Sequence, residues 1–503
     1  MTRDLHRTVV IEELPPTVKP YDLVQLYRDQ PYLTLLESPA APSKLARYSF
    51  LCSEPFLVFK SKRKEAWAGP PGKLEKLPGD PFTELAALLK RYGGGERAWV
   101  PGLPPFLGGA VGYLGYELLY LLEDIPDLGR DDLALPDAYF IFCDTVFSSD
   151  SHDNKSWVST TGFGLTTADA ERAAGTRMTA AKARVAQLSR VTPVSRGEDL
   201  RARRREILVG RPRLTEKHVK EMGIVPVIEH QPYLDVVRAA KEHIFAGDCF
   251  EVCTVNRFDT QSTLSGGELY RVLSTVSEAP FASYLRFPET EVVSSSPERF
   301  LRLDRDRWAD TRPIKGTRPR GRTPQEDEFY YNDLGNCEKD QAENIMIVDL
   351  ARNDLGRVCD FETVTVPELR IIETYPFTHQ LVSTVRGRLR PELGAMDVIR
   401  ATFPGGSMTG APKVEAMKII DALEPVKRGI YSGSIGYFDF EGAFDLNIVI
   451  RTLIKKSERL TFHVGGAIVA DSDPEEEYQE TLDKAHGMVT ALEIAKEARG
   501  QNR

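Results

Sequence analysis

The chain has 503 residues, 41% of them hydrophobic and 28% charged, with a formal net charge of −9. This balance is that of a globular chain and too apolar for a disordered one, and an acidic excess argues against a surface that holds duplex nucleic acid along its length. At roughly 100–200 residues per domain, the length predicts about two to four domains or one large composite unit. No apolar run approaches the ~18 residues of a helical membrane span, so no membrane partner is expected. The N-terminal MTRDLHRTVVIEELPP lacks the basic-then-apolar order of a secretory signal, so the expected compartment is the cytoplasm. The six cysteines, Cys52, Cys143, Cys249, Cys253, Cys337 and Cys359, form no C-x-x-C pair and read as reduced thiols.

In chain order, strands are expected at 32–36 and 47–52, and a helix at 81–92, where Phe82, Leu85, Leu88 and Leu89 share one face. The glycine-dense stretch 108–116 marks tight turns or close backbone approach. From 151 the composition turns polar, 168–190 reads as an exposed Ala- and Arg-rich helix, and 201–205 carries four arginines. Glu198, Asp199 and Glu206 flank that run and no aromatic residue interleaves it, so it reads as a solvated face rather than a nucleic-acid patch. The organisation expected is therefore an N-terminal region 1–155, a variable charged insertion or linker 156–225 and a catalytic region 226–503. In the last region a helix over 232–246 with Gly247 as its stop precedes strands at 252–258, 281–287 and 292–296. Helices are expected at 337–350, 411–423 and 474–498, and strands at 432–440, 444–453 and 460–470, giving an α+β chain.

Three patterns carry chemistry. Gly405–Gly410 has the G-x4-G spacing of a phosphate loop, but Ala411 and Pro412 stand where Lys and Ser or Thr are required, so a nucleotide loop is rejected. Asp340 with Glu343, and Glu477 with Glu480, each lie at i, i+3 on a helix, a spacing that lets carboxylates share a face and hold Mg²⁺ but is also common on solvated helices. Lys315 stands among Arg312, Arg318 and Arg320; positive neighbours or burial would lower its pKa and free the amine as a nucleophile.

Ordered blocks then carry a resemblance. They are GDCF at 247–250, SSSPERF at 294–300, RPIKGTRPRG at 312–321, NIMIVDLARNDLGRV at 344–358, HQLVSTV at 379–385, FPGGSMTGAPK at 403–413, RGIYSGSIGY at 428–437, IVIRTL at 448–453 and GGAIVADSDPEEEYQETLDKA at 465–485. The chain resembles the chorismate-utilising enzymes, and LLES at 35–38, RYSF at 47–50 and GGAVGYLGYE at 108–117 resemble the N-terminal region of the anthranilate and aminodeoxychorismate branches. That resemblance implies an α+β fold: a large two-layer antiparallel β-sheet sandwich with helices outside. Isochorismate and salicylate synthases resemble one another in a lysine base where this chain has Glu251, which argues against that branch. PIKGT, GGSMTGAPK and Ala279-Pro280-Phe281-Ala282 are closest to the aminodeoxychorismate branch.

The implied reaction converts chorismate and ammonia to 4-amino-4-deoxychorismate, a precursor of para-aminobenzoate and folate. By motif position, Lys315 would attack C2 and Glu298 would protonate the C4 hydroxyl as it leaves. Glu343 and Glu480 would hold Mg²⁺, with Asp340 and Glu477 behind them or acting through water. Tyr431, Arg451 and the backbone near Gly465 and Gly466 would take the enolpyruvyl carboxylate, Lys484 would add a charge, and Gly316 and Thr317 would line the ring. A glutamine amidotransferase subunit would supply ammonia, since no G-x-C-x-G elbow occurs here, and a lyase would take the product. Ser38, Arg47 and Ser49 could belong to a tryptophan pocket. Anthranilate synthase component I is the enzyme alternative and a non-catalytic chorismate-binding protein the second. The chain departs from the family pattern at Asp340, Gln380, Ala467 and Glu251, and the role of Glu251 is open.

Overall fold

The computed structural model describes residues 5–39, 45–93, 102–190, 198–210, 213–375 and 377–501. Two antiparallel sheets of twelve strands each form its centre. The first runs His6–Leu14, Lys155–Gly164, Thr145–Asp150, Tyr48–Ser53, Leu33–Glu37, Phe281–Phe287, Thr290–Ser296, Thr452–Lys456, Arg459–Ile468, Glu251–Gln261 and Val225–Pro226, and Gly410–Ala411 also pairs with Glu251–Gln261. In the second, Ile314–Pro319 at one end pairs with Thr378–Arg388, and Glu75–Lys76 closes the other end.

Strand alternation sends successive side chains to opposite faces, and this builds three cores. In Thr290–Ser296, Val292 enters the core between the sheets while Val293 enters the core under the helices. In Ser434–Asp439, Tyr437 faces the inter-sheet core and Phe438 the outer one. The inter-sheet core is aromatic: the Tyr139 and Phe287 rings, one from each sheet, stack 4.0 Å apart at 9°, a contact worth about 0.5–1.5 kcal/mol beyond its burial. Helices His230–Ala246, Gly266–Val276 and Pro474–Gln501 cover the first sheet, and Pro81–Gly93, Glu338–Gly356 and Ala395–Thr402 cover the second. The expected two-layer sandwich with helices outside is the architecture found.

Several expectations change. Both sheets interleave strands from the two halves of the chain: Leu33–Glu37 pairs with Phe281–Phe287, and Gly109–Leu114 with Ser434–Asp439. The segment read as a linker from 156 begins inside the long strand Lys155–Gly164, and Thr167–Val185 packs on it through Ala170, Ala174, Met178 and Ala181. Its alanines are small because they lie against the sheet: a Cβ on Gly162 would stand 1.9 Å from the Ala170 carbonyl oxygen. Helix Glu198–Gly210 is likewise tied down: Arg201 pairs with Glu278, Arg203 with Glu497, and Arg204 lies 3.7 Å over the Phe377 ring. The single strand expected at 444–453 is two. Phe444–Asn447 belongs to the second sheet, Thr452–Lys456 to the first, and the chain crosses between them with Arg451 at φ +50. Gly247 does end its helix in the left-handed conformation, at φ +86.

Candidate active site

Two of the expected residues, Glu298 and Arg451, sit where the chain crosses between sheets. Thr290–Ser296 lies in the first sheet and Arg299–Leu303 in the second, so Glu298 sits on that crossing. The crossing that carries Arg451 lies beside it: Ile448 N–H donates to the Glu298 carbonyl at 3.0 Å, and Ser295 N–H to the Arg451 carbonyl at 3.2 Å. Glu298 is thereby buried between two sheets. Burial pushes its carboxyl up to about 7, against the Ser407 side chain and the Ile314 backbone, which favour the charged form. A carboxyl at that value can donate a proton near neutrality. Burial lowers the pKa of Arg451, and the nearby Glu298 carboxyl offsets only part of that.

Lys315 lies on Ile314–Pro319, at the edge of the second sheet, and reaches across to the start of Glu251–Gln261 in the first. Its Nζ donates to Glu251 Oε1 at 2.5 Å and stands 3.9 Å from Glu343 Oε2. Burial lowers its pKa, but Glu251 and Glu343 together raise it. This corrects the expectation of an amine set among arginines. Arg312 turns to Glu368 and Glu373, Arg318 to Asp333 and Asp340, and Arg320 to Asp327. The sequence hid the cause, since the carboxylate that meets Lys315 is 64 positions away. Glu251 Oε2 is buried without a hydrogen-bond partner. Gly316 follows at φ +88, and a Cβ there would approach Asp340 Cγ and Leu334 Cδ1 at 2.9 Å, so the turn into the site requires glycine. Thr317 is exposed, opposite Gln380 in the ladder. His379 is buried between Thr374 and Asp327, a structural role.

The four expected metal-region acids differ. Burial pushes Glu343 up to about 7. Glu477 is buried; Ser472 donates to its Oε1 at 2.6 Å, and its Oε2 has no hydrogen-bond partner. That oxygen would lie 2.9 Å from a Cβ on Gly466, and Glu480 Oε1 would lie 3.3 Å from it, so the missing side chain leaves the carboxylates their space. Glu480 pairs with Lys484 at 2.6 Å, and Lys484 also donates to the Gly465 carbonyl at 2.8 Å, so this lysine is engaged by the protein itself. Asp340 is taken by Arg318 at 2.9 Å. Among the described residues no three acids stand close enough together to hold a metal ion as arranged. The donors nonetheless suit a hard cation: carboxylate oxygens, one of them orphaned in the interior and another held toward its neutral form by burial.

Tyr431 is buried with its ring stacked on His463, 5.0 Å away at 16°. Ser407 and Arg428 lie inside the quoted FPGGSMTGAPK and RGIYSGSIGY blocks but were given no role there, and His463 lay outside them. Ser38 Oγ donates to the Pro280 carbonyl at 2.8 Å, and Ser49 Oγ accepts from Ser38 N–H at 3.3 Å, so LLES, RYSF and Ala279-Pro280 do meet. Arg47 is held by Asp150 at 2.7 Å and Asp153 at 2.9 Å.

Comparison with known proteins follows this geometry. An aminodeoxychorismate synthase of Streptomyces pristinaespiralis is 40% identical over 484 residues, 93% of this chain and 63% of that one, so the chain spans less than two thirds of that relative. An anthranilate synthase component 1 of Acetivibrio thermocellus is 35% identical over 499 residues, 98% of this chain and 96% of the other. The crystal structure of anthranilate synthase component I from Streptococcus pneumoniae TIGR4 superposes with a TM-score of 0.73 at 29% identity, over 89% of this chain and 93% of that one. The family model described as chorismate binding enzyme matches residues 35–490, and the chain belongs to that family.

Proposed function

We propose that the protein is an aminodeoxychorismate synthase component I, converting chorismate and ammonia to 4-amino-4-deoxychorismate. The observation that carries this reading is the Lys315 amine, buried with Glu251 at 2.5 Å and on the same edge strand as the Ile314 backbone group that meets Glu298. The cycle closes in protons and electrons. Lys315 gives a proton to Glu251 and attacks C2; the two ring double bonds shift, and the C4–O bond breaks as Glu298 protonates the departing hydroxyl to water. Ammonia then adds at C4, the double bonds shift back, and the C2–N bond to Lys315 breaks. Glu251 returns the proton to the lysine, and the C4 ammonium returns one to Glu298. Both carboxyls end as they began.

Arg451, Tyr431 and the backbone at Gly465 and Gly466 would receive the enolpyruvyl carboxylate, with Gly316 and Thr317 along the ring. Glu343 and Glu480 would hold Mg²⁺, with Glu477 behind them or acting through water, and the ion when bound supplies positive charge for the ring carboxylate. Asp340, neutralised by Arg318, would brace Gly316 rather than take the ion. A glutamine amidotransferase would provide ammonia and a lyase would consume the product, in the cytoplasm. Ser38 and Ser49 would form the floor of a tryptophan pocket, with Arg47 turned to Asp150. The second reading, anthranilate synthase component I, is favoured by a relative of that name matched over nearly its whole length; Lys315 within PIKGT speaks against it.

The product decides between them. With chorismate, Mg²⁺ and ammonium salt, the expected product has the mass of aminodeoxychorismate and yields para-aminobenzoate when a lyase is added. Release of anthranilate and pyruvate would overturn the reading.

A further inference from the structure

A second space lies against Glu298. It is a small recess of about 30 Å³, room for one molecule of the size of water or ammonia, and Lys315, Gly316 and the four metal-region acids are absent from its walls. One wall is a face of the Glu338–Gly356 helix. Ile347 and Ala351 continue, at four-residue steps, the stripe that begins at Glu343, so the recess lies further along that helix, Ala351 standing about 12 Å of axial rise from Glu343.

Its chemistry is unsuited to a carboxylate arm of the ring. The one cation on its walls is already committed, Arg299 being held by Asp445 at 2.8 Å, and one oxygen of the Asp354 carboxyl is taken by Lys413. What remains is oxygen: the Glu298 and Asp354 carboxyls and the hydroxyls of Thr311, Thr402 and Ser407, set among Ile347, Leu355 and Ile448. Such a lining takes a small hydrogen-bond donor and rejects a second anion. The proposed reaction needs one. Lys315 acts at C2 and Glu298 at C4, so the nitrogen that adds at C4 has to arrive beside Glu298.

We propose that this recess admits and holds ammonia, as ammonia or ammonium, for addition at C4. The inference rests on the synthase reading above. It is tested by narrowing the recess from the helix side with Ala351→Leu and, separately, Ile347→Phe, and by varying ammonium chloride at fixed pH with saturating chorismate and Mg²⁺. The expected result is a KM for ammonium raised about tenfold or more, with the KM for chorismate within about twofold of the unsubstituted protein. Methylamine, where accepted at all, would be lost more completely than ammonia. If the larger side chains unfold the chain, Thr402→Val keeps the volume and removes one wall hydroxyl; it should raise the ammonium KM a few-fold, by the same reasoning. An ammonium KM unchanged in every folded variant, or one that rises in step with the chorismate KM, would overturn the proposal. Failure of the unsubstituted protein to aminate C4 would instead strike the synthase reading.

Discussion

Two buried cation–carboxylate pairs lie close together and differ in one respect. Arg428 is saturated. It donates to both Glu424 oxygens, to the carbonyls of Met408 and Cys253 and to Ser432, while Glu424 Oε1 accepts a further bond from Val255 N–H. Lys315 holds Glu251 by one hydrogen bond, leaves Glu251 Oε2 without a partner, and has Glu343 at 3.9 Å. A saturated buried pair fixes geometry: it locks the turn before Thr409 to strand Glu251–Gln261 and has nothing left to offer a ligand. An unsaturated pair has unspent hydrogen-bonding capacity in a low-dielectric site, which is costly unless something else completes it. On the proposed reading, degree of satisfaction, rather than burial or charge, separates the scaffold pair from the catalytic one.

Substitutions should separate the two in kind. The largest effect is expected for Lys315→Ala: in the protein that stays folded, C4 amination should fall by roughly 10³-fold or more, the scale on which removing a catalytic side chain acts, beside a loss of stability from leaving Glu251 buried and unpaired. Retention of C4 amination at a comparable rate would put Lys315 on the scaffold side. Arg428→Met should cost stability alone. Leaving Glu424 buried and unpaired costs about 3–5 kcal/mol, read as a shift of the denaturant midpoint, while whatever folded protein remains still makes the same product.

Glu298→Gln should lower kcat by roughly 10²–10⁴-fold and remove a pH dependence. With its carboxyl at about 7, the acid form is lost as pH rises, so kcat/KM should fall above about 7 in the unsubstituted protein. The same group bears on stability. Its folded value lies above 4.5, so the folded protein keeps a proton that the unfolded chain has lost, and stability declines as pH rises from 4.5 toward about 7. Glu298→Gln should flatten that decline in thermal melts taken across this window; an unchanged slope would show that Glu298 is not its source. The smallest effect is expected for Arg204→Ala, which removes a stacked guanidinium from Phe377 at the cost of about 1 kcal/mol and leaves the product unchanged.

Local signals in the sequence were reliable where the physics is local. The left-handed stop at Gly247 and the amphipathic helix Pro81–Gly93 follow from a cap and from periodicity. The strand pair at Phe444–Asn447 and Thr452–Lys456 was misread as one because the crossing begins with the β-branched run Ile448-Val449-Ile450, which reads as strand. Periodicity reports which face a residue takes and not which sheet it joins. The motifs singled out Lys315 and Glu298, yet the electrostatics around Lys315 were inverted. The flanking arginines were visible, but each turned to its own acid, and the carboxylate that matters came from a distant strand. Likewise the charge run at 201–205 gave no sign that its partners are Glu278, Glu497 and Phe377, all far along the chain.

The most direct test of the unsaturated pair is the intact mass of the protein, quenched after mixing with chorismate and Mg²⁺ in the absence of ammonia, followed by peptide mapping. The account predicts an added mass equal to chorismate less one water, located on the peptide that contains Lys315, discharged by ammonium and absent in Lys315→Ala. An unmodified protein whose Lys315→Ala variant still aminates C4 at the original rate would contradict it.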